Sequence, residues 1–342
     1  MPGRPKSIPV RRGVTPDLVR LPRTAATEQT GDHGIWLRTG EHRRVGPLVS
    51  TTDDHIERRI VSGGPLTIEE TTARWTGHAF SGPDDLGLTH RTELLVTGGL
   101  TRPAWVVQPP NDVSSTWAIH VHGARSSRVS ALRSVPVACS LGMRSIIPSY
   151  YGDTENQEDG PTAATLGGRE ALDVDTAISY AITNGAKRIV LFGWSMGGAI
   201  SLLLTERSAH RDRIAGLILV SPVVDFRSMI VENAAGAGLP RSIGRLIPWA
   251  LSTRPLSGLI GEPEPIDFGA LDWTTYDRLK VPALVLHSTG DRDVPFASTR
   301  DFASANRLVT LEEFAPVPHQ LEWNSDPAHF DATAQAWLKH IA

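Results

Sequence analysis

The chain has 342 residues, of which 40% are hydrophobic and 21% are charged, and its 34 basic and 37 acidic side chains leave a net charge of −3 at pH 7. Such a balanced composition lacks the field of one sign that attracts nucleic acid or anionic lipid, so we expect neither nucleic acid nor a membrane as a partner. A single cysteine, Cys139, excludes an intrachain disulfide and favours a reducing compartment. Because no apolar run reaches the roughly 18 residues of a membrane helix and no signal-peptide pattern follows Met1, we predict a cytoplasmic protein.

Residues 1–115 are predicted to form an N-terminal extension. Residues 1–30 lack hydrophobic periodicity, so we expect them to be poorly ordered. The remainder contains short apolar runs separated by Gly, Pro and Asp, a pattern typical of antiparallel strands, and the last two runs cover 92–96 and 103–107. We expect the turn of this last hairpin at 100–103.

From Thr116 onward, apolar runs of strand length alternate with amphipathic stretches, which is typical of βα units on a parallel sheet. Helical spacing is clearest at Ala171, Val174 and Ile178, and Asp326 with Pro327 marks the start of a last helix. No strand pattern occurs within 225–273, where we predict a helical insertion.

The strand–turn–helix setting of Gly193-Trp194-Ser195-Met196-Gly197 is the most informative local pattern. An apolar run ends just before it and a helical run, Ala199-Ile-Ser-Leu-Leu-Leu, follows. Glycines on both sides of Ser195 would permit a sharp turn that exposes its hydroxyl, as a nucleophile elbow requires. The alternative is a serine that only caps the following helix.

A serine nucleophile needs a base that is oriented by a third group, and the downstream sequence supplies candidates for both. The run His287-Ser-Thr-Gly-Asp291-Arg-Asp293-Val-Pro295 follows the last clear apolar strand, and Pro318-His319 comes before the final helix. In this order the chain resembles the α/β-hydrolase superfamily, in its esterase or serine aminopeptidase-like branches. The family motif His-Gly-x-x-Asp-x-x-Val-Pro matches except at Ser288, and the alignment selects Asp291 as the acid and His319 as the base.

Two other aspartates stay open as the acid. Asp293 lies two residues beyond Asp291, and Asp225 follows the preceding strand, where some relatives carry an alternative acid.

The resemblance also implies an oxyanion hole made by the backbone N–H groups of Met196 and Ala124. His120 and His122 share one face of the strand before Ala124, as two metal ligands could. Because no third ligand follows them, we expect no metal, and we expect no cofactor either.

By resemblance, the fold is an α/β-hydrolase fold: a mostly parallel twisted sheet with helices on both faces, formed by 116–224 and 274–342. To it are added the antiparallel β extension of 1–115 and a helical cap at 225–273 that would roof the pocket. The cap's apolar residues could line an acyl pocket or only pack against the sheet. We predict substrate contacts from four residues near the carboxyl ends of the strands: Arg125, Tyr150, Tyr151 and Trp194.

The resemblance therefore implies a serine hydrolase that cleaves a small-molecule carboxylic ester, lactone or thioester through an acyl-enzyme on Ser195. The alternatives are a serine peptidase of the aminopeptidase or acyl-peptidase type, an acyltransferase and a non-catalytic binder on the same scaffold. The leading segment could also contribute to a homo-oligomer interface.

Overall fold

In the computed structural model, which describes residues 7–153, 155–156, 165–254 and 265–341, the N-terminal part is a closed barrel of six antiparallel strands. The strand order is β1-β2-β5-β4-β3-β6, and β1 closes the barrel by pairing with both β2 and β6. Aliphatic side chains, mainly of valine, leucine and isoleucine, fill the interior. The strands are β1 (Ser7–Arg12), β2 (Leu18–Pro22), β3 (His33–Leu37), β4 (His42–Thr51), β5 (His55–Ser62) and β6 (Glu70–Thr76).

The prediction that residues 1–30 are poorly ordered is wrong for 7–30, which contain β1 and β2. In β1 only Val10 is fully buried, so the strand has almost no hydrophobic pattern of its own. Its backbone pairing on both edges supplies the order that the side chains do not reveal.

A buried arginine organises the loop between β2 and β3. Arg58 of β5 is 0% exposed and donates hydrogen bonds to the carbonyl oxygens of Thr27 (3.0 Å), Gly31 (3.0 Å), Gly46 (2.8 Å) and Gln29. Burial lowers the pKa of its guanidinium to about 10. Three of the four carbonyls belong to the β2–β3 loop, so one side chain fixes the loop's course.

We expect Arg58→Met to destabilise the protein by at least about 3 kcal/mol, because each buried carbonyl left unpaired costs about 1–3 kcal/mol. The matched control is Arg59→Met, whose side chain is 53% exposed and pairs with Asp17, so its cost should stay below about 1 kcal/mol. Urea unfolding followed by circular dichroism measures both. Equal free energies of unfolding for the two variants would contradict this role of Arg58.

The larger part of the chain contains an eight-stranded sheet in the order β14-β13-β12-β11-β9-β10-β8-β7. Strands β9 to β14 pair in parallel, whereas β7 and β8 form an antiparallel hairpin whose second strand pairs antiparallel with β10. The strands are β7 (His90–Thr97), β8 (Leu100–Val107), β9 (Thr116–Val121), β10 (Ser145–Pro148), β11 (Arg188–Trp194), β12 (Ile214–Val220), β13 (Ala283–Ser288) and β14 (Val309–Phe314).

Two details of the β7–β8 hairpin correct the sequence prediction. The hairpin belongs to the main sheet, although it lies within residues 1–115, which were assigned to the extension. Its turn is Gly98-Gly99 and not 100–103, because both glycines have positive φ (56° and 86°), as a two-residue hairpin turn requires.

Helices cover both faces of the sheet, as predicted. Alternating side chains of β9 and β11 enter two separate hydrophobic cores, one on each face. The helices are α1 (Val135–Ser140), α2 (Glu170–Thr183), α3 (Met196–Arg207), α6 (Phe296–Ala305), α7 (Glu322–Ser325) and α8 (Pro327–Ile341), and α4 and α5 lie in the insertion described next. None of the helices in the described ranges has the length and apolarity needed to cross a membrane.

The insertion after β12 is helical in its described part, with α4 (Phe226–Gly236) and α5 (Arg241–Leu251). Its two ends meet at the sheet, where Asp225 forms an antiparallel bridge with Asp272 and the Trp273 N–H donates to the Val224 carbonyl at 2.9 Å. Part of the predicted cap, residues 255–264, lies outside the described residues.

The barrel packs against the segment that follows β14. The Asn324 side chain on α7 donates hydrogen bonds to the carbonyl oxygens of Gly77 (2.9 Å), just after β6, and Asp32, just before β3. Two barrel connections are thereby held next to the loop that carries His319.

Candidate active site

The turn from β11 into α3 consists of one strained residue, Ser195, with φ 53° and ψ −115°. A Cβ on Gly193 would lie 2.6 Å from the Gly197 carbonyl oxygen, and a Cβ on Gly197 would lie 2.2 Å from the Val121 carbonyl oxygen. Both glycines are therefore required by close backbone contacts. The turn directs the Ser195 hydroxyl toward the loop that follows β14.

Three side chains from three loops form one chain of hydrogen bonds. The Ser195 hydroxyl donates to His319 Nε2 at 2.8 Å, and His319 Nδ1 donates to Asp291 Oδ2 at 2.6 Å. This is the arrangement in which a neutral imidazole can accept a serine proton.

Asp291 is surrounded by hydrogen-bond donors. Besides His319, its Oδ2 accepts from His287 Nε2 at 3.0 Å, and its Oδ1 accepts from the N–H groups of Asp293 (2.8 Å) and Val294 (2.9 Å). Burial alone would raise the pKa of the Asp291 carboxyl, but the hydrogen bonds from His287 and His319 hold it well below its usual range. Asp291 therefore stays ionised at neutral pH.

The pKa of His319 is set by two opposing effects. Burial lowers it, whereas the hydrogen bond and charge of Asp291, with smaller contributions from Glu322 and Asp293, raise it, and the net result is a pKa above the usual 6.5. The ring nevertheless remains 16% exposed, so solvent reaches it.

The two other aspartates do not contact His319 in the structure. Asp225 caps α4, where its Oδ1 accepts from the N–H groups of Arg227 (2.8 Å) and Ser228 (3.2 Å). The Asp293 side chain is exposed, and its backbone N–H donates to Asp291.

Ser288, which replaces the glycine of the family motif, ties the acid loop to the base loop. Its buried hydroxyl accepts the N–H of Val317 (2.7 Å) and lies 3.0 Å and 2.8 Å from the carbonyl oxygens of Ala315 and Val317. The departure from the motif therefore adds a cross-link between the two loops.

Glu322 links the ends of two strands to α7. The carboxyl is fully buried, and its Oε1 accepts from the Ser221 hydroxyl (2.5 Å), after β12, and from the Ser288 N–H (3.0 Å), at the end of β13. Burial raises its pKa, although the hydrogen bond from Ser221 opposes that shift. The linkage fixes the segment three residues beyond His319.

Arg133 connects the elbow to the base loop. Its buried guanidinium lies 4.1 Å from the centre of the Trp194 ring and donates to the Gln320 carbonyl at 2.6 Å. Trp194 immediately precedes Ser195, and Gln320 immediately follows His319. One rigid cation thus fixes the spacing between the backbones on either side of the Ser195–His319 contact.

The loop after β9 passes directly over Ser195. A Cβ on Gly123 would lie 3.3 Å from Ser195 Cβ. The Tyr150 hydroxyl lies 2.8 Å and 3.0 Å from the carbonyl oxygens of His122 and Gly123, and the Tyr150 ring stacks on the His122 imidazole at 4.1 Å. Because the buried Tyr150 hydroxyl holds these two carbonyl oxygens, the backbone of the loop is fixed in position just before the exposed Ala124.

The two histidines of β9 and its following loop have protein partners. His120 lies between the hydroxyls of Ser134 (2.8 Å) and Ser145 (3.0 Å), and burial lowers its pKa to about 3. His122 Nε2 lies 3.0 Å from the buried Asp153 carboxylate. Within the described ranges, no cluster of three or more His, Cys, Asp or Glu side chains is arranged to hold a metal ion.

The four residues predicted to contact substrate differ in how exposed their side chains are. Tyr150 (2% exposed) and Trp194 (0%) are buried in the cores, so the prediction that they contact substrate is wrong. Tyr151 is half-buried, with its hydroxyl accepting from Arg169 at 3.1 Å, and Arg125 is exposed with a positive φ of 56°. For Tyr151 and Arg125 substrate contact stays a prediction.

In the sequence, His287 serves only as the first residue of the family motif. In the structure it contacts Asp291, the candidate acid. Its ring is fully buried between Asp291 Oδ2 and the Thr299 hydroxyl, which lies 2.8 Å from His287 Nδ1. Since a carboxylate only accepts, His287 donates from Nε2 and accepts from Thr299. The sequence feature that could have identified His287 as a partner of the acid is its position at the end of a strand, four residues before Asp291.

A cleft of about 610 Å³ opens beside His319 and Asp291. Its lining includes Ala25 and Gln29 from the barrel loop that Arg58 holds. The N-terminal barrel therefore contributes directly to the surface beside the candidate catalytic groups.

Two family models match this chain. The model described as serine aminopeptidase, S33, matches residues 170–275, which include α2, the Ser195 elbow and the insertion. A model described as a domain of unknown function (DUF8805) matches residues 10–76, nearly the whole barrel.

Solved structures with the same fold include several esterases. The Pyrococcus furiosus esterase Pf2001 has a TM-score of 0.58 at 19% identity and covers 76% of this chain and 94% of its own. Est1E from Butyrivibrio proteoclasticus, solved with ferulic acid bound, has a TM-score of 0.54 at 16% identity, with coverages of 73% and 98%. The predicted α/β-hydrolase fold is confirmed.

Gly197→Ala is expected to destabilise the protein by about 1–3 kcal/mol or more, because its Cβ would overlap the Val121 carbonyl. The control is Gly236→Ala at the end of α4, where a Cβ meets nothing within 4 Å and alanine should be neutral or stabilising by up to about 1 kcal/mol. Urea unfolding compares the two. Equal stabilities would show that the elbow tolerates a side chain.

Proposed function

We propose that this α/β-hydrolase is a serine hydrolase that cleaves carboxylic esters, lactones or thioesters through an acyl-enzyme formed on Ser195. The observation that carries the proposal is the continuous hydrogen-bonded chain from Ser195 through His319 to the ionised Asp291. A serine hydroxyl is a weak nucleophile, and this contact supplies the base that it needs.

In the first step, Ser195 Oγ attacks the substrate carbonyl carbon while its proton passes to His319 Nε2. Asp291 keeps the His319 Nδ1–H in place and stabilises the imidazolium that forms. When the tetrahedral intermediate collapses, the bond to the alcohol or thiol breaks, and His319 returns the proton to the leaving group.

The negative charge on the tetrahedral oxygen needs nearby donors. Met196 is the first residue of α3, so its N–H has no acceptor within the helix and lies at the helix's positive end. Ala124 follows the Gly123 backbone that passes over Ser195. We assign these two N–H groups to the oxyanion hole.

In the second step, water attacks the acyl carbon and gives its proton to His319, and Ser195 regains its proton as the acid leaves. The 16% exposure of the His319 side chain is compatible with this role of water. The cap would supply part of the pocket for the acyl group through α4, whose Asn233 side chain donates to the Asp293 carbonyl at 3.0 Å.

Ser195→Ala should abolish labelling by a fluorophosphonate probe and turnover of short p-nitrophenyl esters, because no other group replaces the nucleophile. Ser179→Ala on α2 is the control and should behave as the wild type. Persistent labelling of Ser195→Ala would remove the assignment.

A serine aminopeptidase is the second candidate, since the family model that matches 170–275 carries that description. Comparing kcat/KM for p-nitrophenyl esters with that for aminoacyl anilides separates the two. Ester hydrolysis predicts a clear preference for the esters, whereas equal or greater values for the anilides would favour the peptidase. An acyltransferase would show faster release of the acyl group to an added alcohol than to water.

Tyr150→Phe is expected to lower kcat by about five- to tenfold with KM nearly unchanged, because one hydrogen bond of about 1 kcal/mol that braces the loop of Ala124 is lost. Phenylalanine keeps the stacking on His122. Tyr276→Phe, at a tyrosine that is 86% exposed, is the matched control and should retain the wild-type kcat. If kcat is unaffected in Tyr150→Phe, the hydroxyl does not position the oxyanion loop.

The acid limb of the pH profile should report His319. Because His319 must be neutral to accept the proton and its pKa is raised, kcat/KM should fall as the pH drops through a value above 6.5. In Asp291→Asn the raising charge is lost, so the limb should move to lower pH while the plateau falls roughly 10³–10⁴-fold. In the control Asp293→Asn, the acid limb should move only slightly to lower pH, and the plateau value of kcat/KM should stay that of the wild type. An unmoved limb in Asp291→Asn would contradict the assignment of the base.

A further inference from the structure

Helix α5 presents most of its large apolar residues to solvent, and Leu251 at its end packs against the core. Gly244 and Pro248 are its buried positions. A Cβ on Gly244 would lie 3.1 Å from Val231 Cα and 3.2 Å from Ala234 Cβ, so α5 lies directly against α4. A helix packed through glycine and proline leaves little of its apolar surface buried.

The exposed side of α5 carries a continuous apolar patch, which we define as Ile243, Leu246, Ile247 and Trp249. Their exposed fractions are 43%, 58%, 39% and 58%. Ile243, Leu246 and Ile247 are three and four residues apart, so they adjoin on one side of the helix. Within the described part of the chain, α5 therefore presents an apolar face to solvent.

A row of positive charge borders this patch. Arg241 and Arg245 precede Trp249 at intervals of four, so the three side chains form one row beside the row of Leu246. From Asn233 to Gly261 the sequence contains three arginines and no aspartate or glutamate. Glu232 of α4 pairs with Arg241 at 2.8 Å, which leaves the segment with an excess of positive charge.

A second copy of the chain fits this surface less well than an anionic lipid layer does. Self-association through α5 would bring two arginine rows together with no carboxylate on α5 to pair with them. A lipid surface offers acyl chains to the apolar row and phosphates to the arginines, the pattern of helices that lie in a membrane interface.

The patch is also connected to the candidate active site. Asn233, at the end of α4 on which α5 packs, donates to the Asp293 carbonyl at 3.0 Å, two residues beyond Asp291. Helix α5 is therefore linked to the acid loop through α4.

We propose that α5 docks this protein on an anionic lipid surface, with its apolar patch among the acyl chains and Arg245 against the phosphates. This proposal departs from the expectation, drawn from the composition of the whole chain, that a membrane is not a partner. The net charge of −3 for the whole chain conceals the local charge of α5. The proposal is independent of catalysis, so Ser195→Ala should dock equally well.

The test is flotation of the full-length chain with phosphatidylcholine vesicles that contain or lack phosphatidylglycerol. We expect binding only to the anionic vesicles, weakened by raising the salt from about 0.1 M to about 0.5 M. Leu246→Ser should weaken it about tenfold, and Arg245→Gln about fivefold. The matched controls are Leu94→Ser, at a 67% exposed leucine of β7, and Arg300→Gln, at an exposed arginine of α6; both should bind as the wild type does.

Three results would overturn the proposal. They are absence of flotation with anionic vesicles, equal loss in Leu246→Ser and Leu94→Ser, and a dimer detected by light scattering that Leu246→Ser dissolves while no vesicle binding occurs. Leu246→Ser should hydrolyse a soluble ester as the wild type does. Loss of docking in this variant with unchanged ester hydrolysis therefore tests the docking proposal separately from the proposed function.

Discussion

Ser195 has a positive φ because β11 must turn into α3 within one residue, and the rest of the site depends on that turn. The strain persists only because the surrounding backbone leaves no alternative. Gly197 lies against the end of β9, and Gly123 passes over the serine. The same close packing that forces the turn therefore brings the oxyanion loop and the start of α3 to the serine hydroxyl.

The other two loops reach Ser195 through buried polar side chains. Ser288 joins the acid loop to the base loop, Glu322 joins the base loop to two strand ends, and Arg133 spans from Trp194 to Gln320. Each of these groups is buried and would be costly to leave unpaired. Buried polar contacts therefore hold the spacing of the loops, in addition to the two hydrophobic cores.

Strand periodicity predicts the parallel sheet, and the lack of a strand pattern predicts the helical insertion. The resemblance to the α/β-hydrolases, through the order of its motifs, brings Ser195, Asp291 and His319 together. The sequence was insufficient for the barrel's first strands, since β1 buries only Val10 fully and takes its order from pairing. Tyr150 lies at a strand end that suggested substrate contact, but its ring packs inward on His122. Such side-chain directions depend on contacts between segments far apart in the chain, which a single sequence does not reveal.

The most direct test of Ser195 as the nucleophile, and of Met196 and Ala124 as the oxyanion hole, is a crystal structure of the protein after reaction with an alkyl fluorophosphonate. We expect a covalent bond from Ser195 Oγ to phosphorus, with the phosphonyl oxygen about 2.7–3.1 Å from the N–H groups of both Met196 and Ala124. A phosphonyl oxygen held by other donors, or a label on a residue other than Ser195, would contradict these assignments.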